Sequence, residues 1–496
     1  MAEPGERRTE TGAAADTFTE AAAEAVVATA DETAAAEDDT EGTAGAAASG
    51  PADSAAATDA AAEPDAAIDD AAEADIADVA VVGAGPVGLL LACLLVQRGL
   101  SVTVLEARGQ SSEHSRAIGI HPPGIAVLAQ LGIAEAAIAA GTPIFRGEAW
   151  CDGEMLGALE ISEAGGRYPF VLALPQRDTE RLLRDRLTEL NGGVNPVRRG
   201  IRVTAVSQRS ENVELTTKSA HISVGAGSGA DAASPRRVLA RYVVGADGAR
   251  SRVRELAGIR WVAVGQAQPY LMADFRSGRP PRFGGGDGGG SRREGGRLAA
   301  TTALLAFERG GVVESFPLPD GWRRWVVLTD RLWHEAVAAD LAGIVRDRTG
   351  IELTTASATA QERARTDESL SAFAVRQHRA SRMAADRVAL LGDAAHEVSP
   401  IGGQGMNLGW LDAAALAPAL ELAVRGGHEL GARALREYDL RRRLAARRAV
   451  AQAAFNMQIG REARGARLGV RNALVRALGR PPFRALLARA FTMRGL

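Results

Sequence analysis

At 496 residues the chain has room for two to four domains and a large core, a length that favours a multi-domain enzyme over a small binding module. The formal net charge of −3 hides a division: residues 1–78 carry 21 Asp and Glu against Arg7 and Arg8, a net of −19, and residues 79–496 carry 56 basic and 40 acidic groups, a net of +16. Two distant cysteines, Cys93 and Cys151, exclude a disulfide framework, and no apolar run reaches the roughly 18 residues that span a bilayer, so a cytoplasmic protein is expected.

Residues 1–75 are mostly Ala, Glu, Asp, Thr, Gly and Ser, with Phe18 as the one aromatic. Such a stretch cannot bury enough apolar surface to offset its ordering entropy, which predicts a disordered acidic tail. It is too acidic for a transit peptide and lacks the apolar core of a signal peptide. Its charge suits screening of the basic remainder; a dispensable extension explains it equally well.

Residues 79–106, VAVVGAGPVGLLLACLLVQRGLSVTVLE, read as a strand, a glycine turn, a helix from Pro86 to Arg98 and a second strand ending in Glu106. Gly83 allows the turn, Gly85 lets the backbone approach a pyrophosphate, and Gly88 lets the helix lie close on the sheet. The helix N-terminus offers unpaired N–H groups to phosphates. Glu106 stands where a carboxylate accepts ribose hydroxyls.

After this unit a helix is expected near Pro123, ending about Gly132, with Arg116 in the loop ahead of it as a candidate pyrophosphate contact. Residues 143–174 alternate and predict strands over a pocket. Residues 175–190 predict an amphipathic helix with Asp178 or Thr179 near its cap. Hairpin strands follow over 200–250, interrupted by a flexible stretch at 225–237. The strand Tyr242–Val244 then runs into a second glycine turn, Gly245 to Gly248, and a basic helix. Alternation over 261–375 predicts a largely antiparallel sheet, with a mobile loop at 279–297 and a helix over 341–348. Residues 387–420 return to the first pattern: a buried strand, Gly392-Asp393 at its end, then glycines opening a long helix with Asn407 in its first turn. The arginine- and leucine-rich C-terminal helices carry Phe455, Met457, Phe483, Phe491 and Met493, and suit either an oligomer contact or the surface of a membrane.

Three motifs in this order resemble the single-component (group A) FAD-dependent aromatic hydroxylases, the group typified by p-hydroxybenzoate hydroxylase. They are GAGPVG at Gly83 to Gly88, VGADGARSRVR at Val244 to Arg254, and GDAAHEVSPIGGQGMN at Gly392 to Asn407. The similarity covers roughly residues 76–420. It implies an α/β (α+β overall) protein: a Rossmann-like FAD-binding domain (76–142, 176–260 and 380–425), an interleaved substrate domain on a mostly antiparallel sheet (143–175 and 261–379), and a C-terminal helical region (426–496).

The resemblance also implies site residues. Gly83, Gly85, Pro86, Gly88, Glu106, Arg116 and Gln176 would contact FAD, and Asp247 and Gly248 would serve the second motif, shared between FAD and NAD(P)H. Asp393 would take the ribityl hydroxyls, while Gly402, Gly403, Gln404, Gly405, Met406 and Asn407 would face the flavin ring. Pro400 would border the ring, and His396 reads as structural.

In that family NADH or NADPH reduces FAD, and O2 adds at the flavin C4a position. The hydroperoxide so formed passes one oxygen atom to an electron-rich ring. Nicotinamide binds transiently there, in keeping with the lack of a second GxGxxG. The residue that activates the phenol is not transferable by motif; Trp150, Phe275, Phe316 and Trp325 are pocket candidates or plain core. No metal site is expected. The partners implied are a small aromatic substrate and O2, with no nucleic acid, in a monomer or homodimer that makes at most a peripheral membrane contact.

Flavin-dependent halogenases share the fold, but their WxWxIP signature is missing and Lys218 is the one lysine. A FAD-dependent reductase of an isoprenoid or polyketide, or a non-catalytic flavin-binding protein, remains as the alternative. A lipophilic phenol is the expected substrate, such as an alkylresorcinol or a quinone precursor, with a polyketide aromatic close behind.

Overall fold

The structure is a computed structural model that describes residues 76–110, 117–220, 235–277, 299–353, 358–399, 403–481 and 483–494. Outside the described residues lie the tail expected over 1–75, the loop expected over 279–297, all but the last three residues of the stretch 225–237, and three candidate site residues, Arg116, Pro400 and Gly402.

Strand β1 (Ala77–Val82) enters the first glycine turn, helix α1 (Pro86–Gln97) follows, and β2 (Val102–Glu106) returns parallel to β1. The turn is dense. A Cβ at Gly83, whose φ is +110°, would stand 2.3 Å from the Ala246 carbonyl oxygen, and one at Gly88 would stand 2.0 Å from that of Gly83. Helix α1 is buried all round from Gly88 to Leu95, so its amphipathic face is missing for a physical reason: protein covers every side. Each of its buried leucines contributes about 1.5–3 kcal/mol of burial.

The chain then leaves through β3 (Arg146–Cys151) and returns along α2 (Gln176–Leu190), whose Leu183 and Leu187 join the same core as α1. Helix α2 is preceded by Pro175 at the cap, which has no side-chain hydrogen bond; Asp178 lies inside the first turn and Thr179 bonds back to the Pro175 carbonyl, so both stand next to the cap. Strand β4 (Arg236–Gly245) pairs with the other edge of β1 and leads through the second glycine turn to the short α3 (Arg252–Leu256).

Four strands follow: β5 (Gln268–Arg276), β6 (Thr302–Glu308), β7 (Gly311–Pro317) and β8 (Trp322–Leu328). Two helices come next, α4 (Ala338–Thr349) and α5 (Ala360–Ser369), and then β9 (Ser371–Val375). The sequence pattern missed α5 because it is polar. Its signal is a capping box, in which Thr359 Oγ1 accepts from the Glu362 N–H and the Glu362 carboxylate from the Thr359 N–H. Finally β10 (Val388–Leu390) re-enters the first sheet, and α6 (Gln404–Arg425), α7 (His428–Ile459), α8 (Ala466–Leu478) and α9 (Phe483–Phe491) complete the chain.

The first sheet has eight strands, of which β10, β4, β1, β2 and Val197–Arg199 run parallel in that order. The second has seven, in the order β9, β5, β8, β7, β6, β3 and Glu154–Glu160. It is antiparallel except where β6 meets β3. One of its faces, with Trp150, Leu271, Phe275, Leu304, Val313 and Trp325, forms a core with Leu341 and Val345 of α4. The opposite face borders a cavity.

Candidate active site

One cavity of about 880 Å3 runs from the glycine turns of the first sheet to the second sheet. At one end it is lined by Gly83, Gly85, Pro86, Glu106, Gln176, Asp247 and Gly248, in the middle by Asp393, Gly403, Gly405 and Met406, and at the other end by Met272, Phe316, Val326 and Phe373. Three further candidates act from outside it. Gly88 permits the contact between α1 and the turn. Asn407 is fully buried: its Oδ1 accepts from the His121 N–H at 2.8 Å, and its Nδ2 donates to the carbonyls of Gly119 and Gly403, both at 2.8 Å. Gln404 is also fully buried and does not line the cavity.

The two acids of the nucleotide end are already tied to the backbone. Glu106 accepts from the Ala84 N–H at 2.8 Å and from Arg108, whose N–H and Nε stand 2.9 and 3.0 Å away. Burial pushes this carboxyl up, and the hydrogen bonds and charge of Arg108 with the Ala84 N–H outweigh it, leaving the group below the usual glutamate range. Asp247 accepts from the Ser251 hydroxyl and from the N–H groups of Arg252 and Val253, and thereby fixes the start of α3. Here burial wins, and the carboxyl is raised despite those bonds.

Beneath the third motif lies a buried charge network that the sequence did not disclose. Asp412 of α6 takes the Gly392 N–H at 3.1 Å, His396 Nε2 at 2.6 Å and Arg442 Nε of α7 at 2.7 Å. It pins the Gly392-Asp393 turn to two helices. His396 is fully buried in this arrangement and does not line the cavity.

Helix α6 packs on α1 through Gly409, where a Cβ would meet Val87 at 2.8 Å, and Trp410 Nε1 donates to the Pro86 carbonyl at 3.1 Å. Both helices thus begin on the cavity, and neither N-terminus has a side-chain cap or an acidic residue in its first turn. Their N–H groups and positive dipole ends suit phosphate or a carbonyl edge.

Of the four aromatic pocket candidates, Phe316 lines the cavity, while Trp150, Phe275 and Trp325 are core on the far face of the second sheet. The strand period of two decides this. Two residues that the sequence did not place at the cavity line it, His121 and Phe491, whose rings meet edge-on at 5.7 Å. They lie 370 positions apart in a chain of 496 residues, and no local signal joins them. Away from the cavity, Cys151, Asp152 and Glu308 come together at one end of the second sheet. There Arg309 pairs with Asp152, and Arg471 bonds the carbonyls of Phe307 and Glu308.

The residues fit FAD on two structural grounds. The backbone at Gly85 is bare, since a Cβ there would meet nothing within 4 Å, and two uncapped helix starts share one elongated cavity with Glu106 and Asp393. Fold and site together define a dinucleotide-binding α/β protein with a second, ligand-facing sheet. The FAD binding domain family matches residues 76–281 and 298–453, and the chain belongs to that family.

It is 33% identical over 353 residues to the 12-dehydrotetracycline 5-monooxygenase/anhydrotetracycline 6-monooxygenase of Streptomyces rimosus subsp. rimosus, a match covering 70% of this chain and 63% of that protein. The chain spans about three fifths of the length of the first curated relatives it matches, at 63%, 62% and 56%. Among solved structures, the p-nitrophenol 4-monooxygenase of Pseudomonas putida DLL-E4 superposes with a TM-score of 0.66 at 23% identity, over 85% of this chain and 99% of that one, which shows the fold. An anhydrotetracycline hydroxylase from Streptomyces rimosus superposes with a TM-score of 0.63 at 26% identity, over 85% and 76%.

Proposed function

We propose that the protein is an FAD-dependent monooxygenase that uses NADH or NADPH and O2 to hydroxylate an aromatic substrate. The observation that carries this reading is the single cavity joining the glycine turns to the apolar wall of the second sheet. A cofactor and an apolar ligand can meet there away from bulk water.

In this reading the backbone from Gly83 to Pro86 and the start of α1 hold the pyrophosphate of FAD, with Arg116 beside it. Glu106 takes the adenosine ribose, and Gln176 a neighbouring contact. Asp393 serves the ribityl chain, and the backbone over Gly402 to Met406 faces the ring, with Pro400 at its border. Asp247 and Gly248 shape the nearby turn. Bound FAD would accept a hydride from the nicotinamide and activate O2. The chain's own contribution is to orient the aromatic ring on Met272, Phe316, Val326 and Phe373, and to close the cavity with Phe491 against His121, which keeps water from the reacting groups.

The substrate class that relatives favour is a fused-ring phenol of polyketide type, since a curated relative and a solved neighbour both bear tetracycline-pathway names. A peripheral membrane contact would draw on Leu430, Leu440, Leu444, Val470 and Leu486, which are exposed on α7, α8 and α9. Among the described residues no helix is long and apolar enough to cross a membrane. Phe455, Met457, Phe483, Phe491 and Met493, which suggested such a contact, are buried or half-buried. Full recovery in the supernatant with anionic liposomes at low salt would remove that contact.

The main test starts from the visible spectrum of the purified protein. NADH and NADPH oxidation, oxygen uptake and hydrogen peroxide release are then followed with a panel of phenols. A yellow protein stimulated by one phenol, with little peroxide and a hydroxylated product, is the expected result. A yellow protein that reduces an isoprenoid or polyketide without consuming O2 moves the assignment to a reductase, and one that binds FAD but oxidises no NAD(P)H with any compound is a flavin-binding protein without this activity.

A further inference from the structure

The sheet wall of the cavity carries Tyr270, Met272, Phe316, Val326 and Phe373, two arginines, Arg146 and Arg324, and one acid, Glu314. Strand register sets Met272, Val326 and Glu314 in one row across β5, β8 and β7, and Phe316 lies two residues along from Glu314 on the same face. Glu314 is 2% exposed, lines the cavity, and has no hydrogen-bond partner for Oε1 among the described residues. The charged and polar groups near it are engaged. Arg324 holds Asp274 with both arms of its fork, at 2.7 and 3.0 Å, and the Tyr270 hydroxyl pairs with Gln268. An apolar residue at position 314 would fit this wall better than an orphaned carboxyl. A polar atom left unpaired in such a place calls for a partner, and a ligand in the cavity can supply it.

We propose that Glu314 is the specificity-determining residue of the cavity: its Oε1 pairs with the hydroxyl of an uncharged hydroxyaromatic substrate, and the wall around it turns away ring-borne carboxylates. This rests on the aromatic monooxygenase reading above and names the substrate feature that the site selects. Burial pushes the Glu314 carboxyl up to about 8, so at pH 7 most of it is protonated and offers one donor and one acceptor. A phenol offers the same pair. A ring-borne carboxylate at this position would give up its hydration for the single donor of the Glu314 carboxyl, while the guanidinium of Arg324 is committed to Asp274.

The test is equilibrium binding to the full-length protein loaded with FAD, at pH 7 and without NAD(P)H, read from flavin absorbance and protein fluorescence. The probes are a naphthol, naphthalene and naphthoate, which share one ring system and differ in the group presented. Naphthol is expected to bind at least about tenfold more tightly than naphthalene, and naphthoate weakest. Glu314→Leu should bring naphthol down to the level of naphthalene, while Glu314→Gln, which keeps a donor and an acceptor, should retain most of the preference. Both variants should keep their FAD, and Glu314→Leu should melt at or above the temperature of the unaltered protein, because it removes a buried orphan group.

A naphthol preference that survives in Glu314→Leu overturns the inference, as does unaltered protein that holds naphthoate as tightly as naphthol. So does a Glu314→Leu protein that loses FAD or melts lower, since that would make Glu314 structural. The two readings separate cleanly. A naphthol preference in a protein whose NAD(P)H oxidation responds to no aromatic compound sinks the monooxygenase reading and leaves Glu314 in place, and a responsive enzyme without the preference does the reverse.

Discussion

At the scale of single residues, the three glycines of the first turn do different work, and substitution separates them. Gly83 and Gly88 leave no room for a methyl group, with Cβ positions 2.3 and 2.0 Å from backbone oxygens, so Ala at either should prevent stable folding. Gly85 has φ −75° and ψ 179°, which any residue adopts, and open space where its Cβ would go. Gly85→Ala should therefore change stability by no more than about 0.5 kcal/mol while lowering FAD affinity at least about tenfold, because the methyl fills the approach of the phosphates. Thermal melting and flavin content of the purified variant check both halves. A folded Gly85→Ala protein with full flavin content would mean that FAD does not lie against this turn.

A second residue-scale prediction concerns Asp412. Burial pushes its carboxyl up, and the charges of His396 and Arg442 with their hydrogen bonds pull it below the usual aspartate range. A carboxyl whose folded pKa is depressed contributes stability above its unfolded value, about 3.9, and loses that contribution as pH falls through the folded one. Asp412→Asn leaves Arg442 buried and uncompensated and should cost about 3 kcal/mol at pH 7. The deficit should shrink as the pH is lowered below about 4. Denaturant melts of both proteins at pH 7 and at about pH 2, below the unfolded value, measure it, and a deficit that is the same at both would show that the ion pairs are not its source.

At the scale of elements, α9 is the piece that distinguishes a closed cavity from an open one. It is tied to the loop after Glu154–Glu160 by the ion pair of Arg484 with Glu163, and Phe491 at its end sets its ring against His121. Phe491→Ala should leave FAD content unchanged and raise the fraction of NAD(P)H electrons released as hydrogen peroxide several-fold, since water gains access to the reacting groups. A peroxide assay run beside oxygen uptake tests this. An unchanged peroxide fraction would show that α9 does not close the site.

Elements also mark how far the sequence could be read. The β1–α1–β2 unit is plain in it because the turn needs glycines at fixed spacing and the strands are apolar, and the third motif is plain for the same reason. What the sequence does not disclose is which face of the second sheet meets the cavity. All seven residues of β8 are buried, so alternation cannot separate Trp325, which faces α4, from Val326, which faces the cavity. Glu314 shows the same ambiguity: a single acid in VVESFPL reads as a solvent-facing residue until a helix and a cavity are placed on either side. His121 and Phe491 are joined by tertiary packing alone.

At the scale of the whole molecule the unequal distribution of charge remains. Residues 1–75 carry a net charge of −18 and residues 76–496 a net of +15. Opposite charges of this size on one chain attract within a Debye length, about 10 Å at 0.1 M salt, and the attraction fades as salt rises. Deleting residues 1–75 should therefore leave FAD binding intact, because every described residue of the cavity lies beyond them. At pH 7 and low salt it should turn a protein that passes through a cation-exchange column into one that is retained and elutes with salt.

The same deletion should increase sedimentation with anionic vesicles, through the arginines that surround the exposed leucines of α7. Arg441 on that helix has a side chain 77% exposed. Retention of the shortened chain without vesicle binding would mean that the tail governs solubility and not location. Equal behaviour of both chains on the column would mean that the acidic tail does not screen the basic body at all, and the extension would then be dispensable to the charge of the folded part.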